Sequence, residues 1–162
     1  MSLTYEIEKK ADCDRVIFNG PLDESSGGPL RELLHRGGPK VIFNFAKIEY
    51  INSLGARNWM NFLRSFSEVV PNRQIVFEEC TFDIISQVNM YPGFRGNADI
   101  TSFTCEFFCE ACNAEDRELF TAREDVEELA KEITSRKCRK CGSTLELEEP
   151  IESILYFLNK DA

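Results

Sequence analysis

The chain has 162 residues, 43% of them hydrophobic, enough for one full core plus a small appended module. Its 19 Lys and Arg against 28 Asp and Glu leave a net charge of -9 and a pI of about 4.8, which disfavours nonspecific binding to nucleic acid or anionic lipid, since both need a basic face. No apolar run approaches the roughly 20 residues of a membrane span, and the polar opening Met1–Glu6 lacks the apolar stretch of a secretion signal, so the expected location is cytoplasmic, with no membrane partner.

Tyr5–Glu8 and Arg15–Asn19 read as two strands joined by a polar turn around Asp12 to Asp14. Gly20-Pro21 is expected to end the second strand, and Ser25-Ser26-Gly27-Gly28 supplies turn chemistry before Pro29 opens a short helix through Leu34. Lys40–Phe45 is an almost continuous apolar run, the pattern of a central strand with both faces of its sheet covered. Asn52 and Ser53 are both good helix N-caps, and after them Leu54, Trp59, Phe62, Leu63, Phe66 and Val70 follow a 3.6-residue period in a helix to about Val69. Gln74–Phe77 reads as a strand, Thr81–Met90 as a helix, and Ile100–Phe107 as one more strand of the same sheet. The alternation predicts an α/β fold, a single mixed sheet with helices packed on it, over residues 1–107.

A second module, residues 108–162, begins where the chain turns acidic and cysteine-bearing. Glu118–Thr121 and Thr144–Leu147 read as short strands, Glu124–Ile133 as a helix and Ile151–Leu158 as a terminal helix. The pairs Cys109/Cys112 and Cys138/Cys141 each have the two-residue spacing that turns both thiolates toward one ion, and 25 residues separate them. Four thiolates complete a tetrahedron and leave no position for water or substrate, so the pattern predicts a structural Zn²⁺ in a zinc-ribbon-like module. Gly142 lets the backbone leave the second turn, and Arg136, Lys137, Arg139 and Lys140 are placed to offset the negative sulfurs. Cys13, Cys80 and Cys105 fall outside the paired spacing, which argues against a fully paired disulfide framework, and Cys105 reads as a buried strand residue. With one histidine, His35, and no glycine-rich phosphate loop, the chain has little material for catalysis and is expected to be non-enzymatic.

The segment Val41–Ala56, with its apolar strand, the loop Asn52-Ser53-Leu54-Gly55 and an amphipathic helix, resembles the STAS domain family, and so does the strand exit Gly20-Pro21-Leu22-Asp23. The likeness covers about residues 3 to 107 and points to the bacterial anti-sigma factor antagonists, whose loop reads aspartate, serine, serine or threonine, glycine; Asn52 stands here in place of the aspartate and Leu54 in place of the second hydroxyl residue. The resemblance implies a signalling adaptor for transcription regulation. Its partner would be an anti-sigma factor that is also a serine kinase, Ser53 would be the phosphorylated residue, and Asn52, Leu54 and Gly55 would share the contact. A phosphate at Ser53 would also meet the free N–H groups and positive dipole of a helix start, while the plainer alternative makes Ser53 a simple N-cap. Two other functions stay open: a zinc-bearing nucleic-acid or transcription accessory protein, and a thiol redox sensor using the two cysteine pairs. The terminal helix and the extra cysteines also offer surface for a homodimer.

Overall fold

The computed structural model describes residues 1–159. Thr4–Lys9 (β1) and Asp14–Leu22 (β2) form the expected hairpin, paired antiparallel from Thr4 opposite Asn19 to Lys9 opposite Asp14. β2 does not stop at Gly20. Gly20 adopts φ +109, a conformation open chiefly to glycine, and the register with the next strand slips on either side of it, so Pro21 falls where no ladder N–H is required. A 3₁₀ turn at Glu24–Ser26 then leads into a short helix, Gly27–Leu33 (α1), which starts two residues before the expected Pro29 because Asp23 and Ser26 cap the turn reciprocally.

Lys40–Ile51 (β3) lies in the middle of a five-stranded sheet, parallel to β2 on one side and to Gln74–Glu78 (β4) on the other. Between them runs the 17-residue helix Ser53–Val69 (α2). Its buried Trp59, Phe62 and Phe66 surround Phe43 of β3 at ring-centroid distances of 5.3 to 6.0 Å, and Phe18 and Phe77 from the neighbouring strands close the cluster. Trp59 can sit fully buried because its indole N–H donates to the Phe94 carbonyl at 2.8 Å. Arg73 stitches the end of α2 to the turn before β3, donating to the carbonyls of Phe66, Gly37 and Gly38 at 3.0 Å each and lying 3.9 Å over the Phe66 ring.

Only one face of this sheet is packed to the depth expected. On the other face Arg15, Ile17 and Ile42 are half-buried around Asn44, whose amide bonds Glu78 and Glu79 while Arg15 pairs with Glu78 at 2.9 Å. The apolar run of β3 therefore reports a central position and not two helical covers, since Asn44 and its carboxylates hold a polar patch at the middle of the open face.

Phe82–Met90 (α3) and the single turn Pro92–Arg95 (α4) lead to Asp99–Ile100 (β5), a two-residue parallel edge on β4. The strand expected over Ile100–Phe107 as part of this sheet is divided. After Thr101 the chain pairs once more beside Cys80, at Phe103, then peels away as Ser102–Phe108 (β6), the middle strand of a separate three-stranded sheet. Its neighbours are Glu115–Thr121 (β7) and Glu146–Leu147 (β8), both antiparallel to it. The alternation of β6 buries Phe103, Cys105 and Phe107 on one side, a pattern that serves either sheet equally well, so strand periodicity alone does not choose between them.

Val126–Thr134 (α5) and Ile151–Leu155 (α6), the latter extended by a 3₁₀ turn to Leu158, complete the described chain. The terminal segment docks on β6 and on the first sheet's helices: Phe157 meets Phe103 of β6 edge-on at 5.4 Å, Arg95 of α4 donates to the Phe157 carbonyl at 3.1 Å, and Asn89 of α3 to that of Ser153 at 2.7 Å. The buried residues of both sheets form one continuous cluster.

Candidate functional site

Two places carry the chemistry that the sequence singled out. The first lies at the far end of the second sheet. The in-and-out alternation of β6 continues one step past Phe107 and delivers Cys109 to the turn as a buried thiol, while Cys112 is exposed; Cys138 and Cys141 repeat that order of buried then exposed. The backbone of the two turns is the same. Asn113 N–H donates to the Cys109 carbonyl at 2.8 Å and Gly142 N–H to that of Cys138 at 2.9 Å, while Cys109 and Cys138 donate to Ala114 and Ser143 at 2.8 and 2.7 Å. Gly142 at φ +77 has the conformation expected of it, and Asn113 at φ +60 does the same work in the first turn, a role legible in the matching order Cys-x-x-Cys-Asn.

The closest approaches run between the pairs. Cys109 Sγ stands 3.4 Å from Cys141 Sγ, Cys112 Sγ 3.6 Å from Cys138 Sγ, and all four sulfurs lie within 4.8 Å of one another. A tetrahedral ion with metal–sulfur bonds of about 2.3 Å asks for sulfur–sulfur edges of roughly 3.8 Å, so the four thiols are compatible with a metal site. Their electrostatics agree. The Ser143 hydroxyl and N–H bring the Cys141 thiol down to about 6, and the N–H groups of Cys141 and Lys140 lower Cys138. Cys112 receives the Ala114 N–H, yet desolvation and its three sulfur neighbours carry it up to about 12. Thiolates crowded this closely repel one another, and a divalent cation at their centre removes that repulsion.

Arg136, Lys137 and Arg139, beside the second pair, are engaged elsewhere than expected. Arg139 reaches Glu118 at 3.0 Å and Asp116 at 3.6 Å, Arg136 reaches Glu118 and Glu132 at 3.3 Å each and covers the Phe120 ring, and Lys137 donates to Thr144 at 2.7 Å. The two arginines fasten the second turn to β7 and α5, while Lys137 ties the turn's own two arms together. Cys80 and Cys105 are buried away from the cluster with their thiols pushed up by burial, Cys105 to about 12, and Cys13 is half-buried.

The second place is the start of α2. Its N-cap is Asn52, whose side-chain oxygen accepts the Gly55 N–H at 2.9 Å; Ser53 is the first helical residue, exposed beside Leu54, and is not the cap. Gly55 is buried against the exit of β2. A Cβ placed there would stand 1.8 Å from the Leu22 carbonyl oxygen and 2.5 Å from the Asp23 nitrogen, so only glycine fits. Asn52 N–H donates to that same Leu22 carbonyl at 3.0 Å, and the Asn52 amide donates to Glu24 at 3.0 Å. Asp23 completes the seam by accepting from the Ser25 hydroxyl and N–H and, at 3.1 Å, from the Tyr50 hydroxyl; these bonds lower the Asp23 carboxyl, while Asp23 raises the Tyr50 phenol. The sequence reading missed Glu24 and Tyr50, because nothing local ties a residue near 23 to one near 50.

No protein-family model and no curated protein matches this chain. No helix among the described residues is long and apolar enough to cross a membrane.

Proposed function

We propose that this chain is a non-enzymatic cytoplasmic signalling adaptor of the STAS, anti-sigma factor antagonist type, which binds a regulatory protein partner, a serine-kinase-like anti-sigma factor, through the loop at the start of α2. The observation that carries the reading is the presentation of Ser53 and Leu54: both are exposed on the first turn of a 17-residue helix that the Asn52 cap and the close seat of Gly55 hold rigidly against β2. Rigid backbone with exposed side chains is what a recognition step needs, because little conformational freedom is lost on binding. The order of the first sheet, one antiparallel edge strand followed by parallel strands with intervening helices, accords with the family resemblance.

Phosphorylation of Ser53 would act as the switch. It adds close to two negative charges next to Asn52, whose amide is held by Glu24, and near Tyr50, whose hydroxyl is held by Asp23. The helix dipole tolerates such a charge at this end, so the helix survives while the surface that meets the partner becomes more negative.

In the second sheet Cys109, Cys112, Cys138 and Cys141 would hold Zn²⁺, which, when bound, supplies a cross-link between two turns and no open coordination position. The sulfur approaches between pairs favour this role over a disulfide sensor working within each pair. The carboxylates that engage Arg136 and Arg139 leave little free positive charge for nucleic acid, which favours a protein partner.

The test is affinity capture by wild-type, Ser53→Ala and Ser53→Glu chains, read by mass spectrometry. A kinase-like ATPase retained by wild type and Ser53→Ala but lost by Ser53→Glu supports the switch. Identical capture by all three sinks it.

A further inference from the structure

α5 carries more apolar surface than the core uses. Leu129 and Ile133 are fully buried, but Val126 and Ala130, one helical turn apart on a neighbouring face, are only half-buried. The terminal segment repeats the arrangement: Ile154 and Phe157 are buried, while Ile151 and Leu158 are half-buried and Tyr156 is 46% exposed. Between the two runs lies a groove of about 600 Å³, walled by Val126, Ala130, Ile151, Leu155, Tyr156 and Leu158. Ile151, Leu155 and Leu158 are spaced i, i+4, i+7, so this wall runs for about two helical turns, roughly 10 Å. An apolar trough of that kind between two helices is where an amphipathic helix lays its own apolar face.

Charge decides what the trough accepts. Its wall also carries Glu127 and Glu152, and among the described residues no Lys or Arg lines it. Neither carboxylate is ion-paired, and neither are Glu124, Asp125 and Glu128 at the same end of α5. Lys131, further along α5, stands outside the wall. A second copy seated about a two-fold axis would set this acidic rim against its own duplicate, on chains that each carry a net charge of -9. An anionic membrane is repelled for the same reason. A helix with apolar anchors and basic flanks satisfies both the trough and its rim.

We propose that the groove between α5 and α6 binds one amphipathic helix of a protein partner, which seats apolar side chains between Val126, Ile151 and Leu158 and sets flanking Lys or Arg against Glu127 and Glu152. Neither the thiol cluster nor residues 52–55 line the groove, so this surface and the loop proposed above stand or fall separately.

The test titrates the full chain with an acetylated, amidated peptide of about 14 residues, lysine-rich with three leucines spaced i, i+4, i+7, following backbone amides by NMR. Two matched peptides replace the leucines by serine or the lysines by glutamate. Saturable shifts centred on Val126, Ala130, Ile151 and Leu158 with the leucine–lysine peptide, absent with the serine peptide and at least tenfold weaker with the glutamate peptide, support the proposal. The charge swap Glu127→Lys/Glu152→Lys should weaken the lysine peptide roughly fivefold and strengthen the glutamate peptide, whereas Glu6→Lys/Glu68→Lys, the same charge change at exposed sites elsewhere, should do neither. No saturation of the wild-type chain, equal binding of lysine and glutamate peptides, or tighter saturation of the same amides by laurate overturns it. So does sedimentation showing that the peptide-free chain already pairs through this face. The wild-type titrations decide the matter even where a variant fails to fold.

Discussion

Replacing Gly55 with alanine tests whether the seam between β2 and α2 is as rigid as its geometry implies. The new Cβ would lie 1.8 Å from the Leu22 oxygen, 2.0 Å from its carbonyl carbon and 2.5 Å from the Asp23 nitrogen, all backbone atoms that no rotamer change can move. Ordinary carbon–oxygen contacts start near ~3.3 Å, so the helix start must retreat by roughly 1.5 Å. That shift stretches the 3.0 Å bond from Asn52 N–H to Leu22 beyond hydrogen-bonding range. Overpacking costs about 1–3 kcal/mol and the lost bond about 1, against a gain of nearly 1 from alanine's helix propensity, for a net loss of about 2 kcal/mol. In a chain of this length that lowers Tm by roughly 4–8 °C. Gly28→Ala is the control, since nothing lies within 4 Å of its added Cβ; it should leave stability unchanged or raise it by about 0.5 kcal/mol. Urea unfolding of both variants and wild type, with m-values compared, measures both. Gly55→Ala matching wild type within about 0.5 kcal/mol would refute the argument from an immovable backbone.

Metal analysis of the purified chain should find about one zinc, lost on Cys112→Ser or Cys138→Ser and retained on Cys105→Ala, with hydrogen exchange across β7 and the two turns accelerating when it is removed. Phe43→Ala, at the centre of the aromatic cluster and fully buried, should cost about 3–5 kcal/mol by denaturant unfolding. Asp23 has a folded-state pKa below its ordinary 3.8, so its bonds to Ser25 and Tyr50 stabilise the fold above that pH and the contribution is lost as pH falls through the lowered value; Asp23→Asn should flatten that acid limb in a pH series of unfolding curves. Removing the Arg73 clamp with Arg73→Met should destabilise by about 2 kcal/mol while leaving the Ser53 loop's NMR shifts in place.

Much of the fold is legible along the chain. The 3.6-residue spacing of Trp59, Phe62 and Phe66 marks α2 to its last residue, and Pro71 and the turn around Asn72 show where it ends. Cys-x-x-Cys spacing, with a residue able to take positive φ after each pair, is a local property and so is readable without neighbours. Ser53 shows the limit. Asn52 and Ser53 have similar capping preferences, and the choice between them rests on the Leu22 carbonyl and Glu24, about 30 residues earlier, which hold Asn52 in the extended conformation of a cap.

Local patterning thus sets the strands, the helices, the aromatic core positions and the two thiol turns, because each depends on residues within one or two turns of backbone. Non-local pairing sets the rest. The division of residues 99–108 between two sheets, the approach of Cys109 to Cys141 across the pairs, and the docking of Phe157 on Phe103 all join segments far apart in the chain. The alternation of β6 is satisfied by either sheet. Its place is settled by partners: β7 and β8 offer antiparallel edges along Ser102–Phe108, while β4 has run out of strand at Glu78 and pairs again only at Cys80.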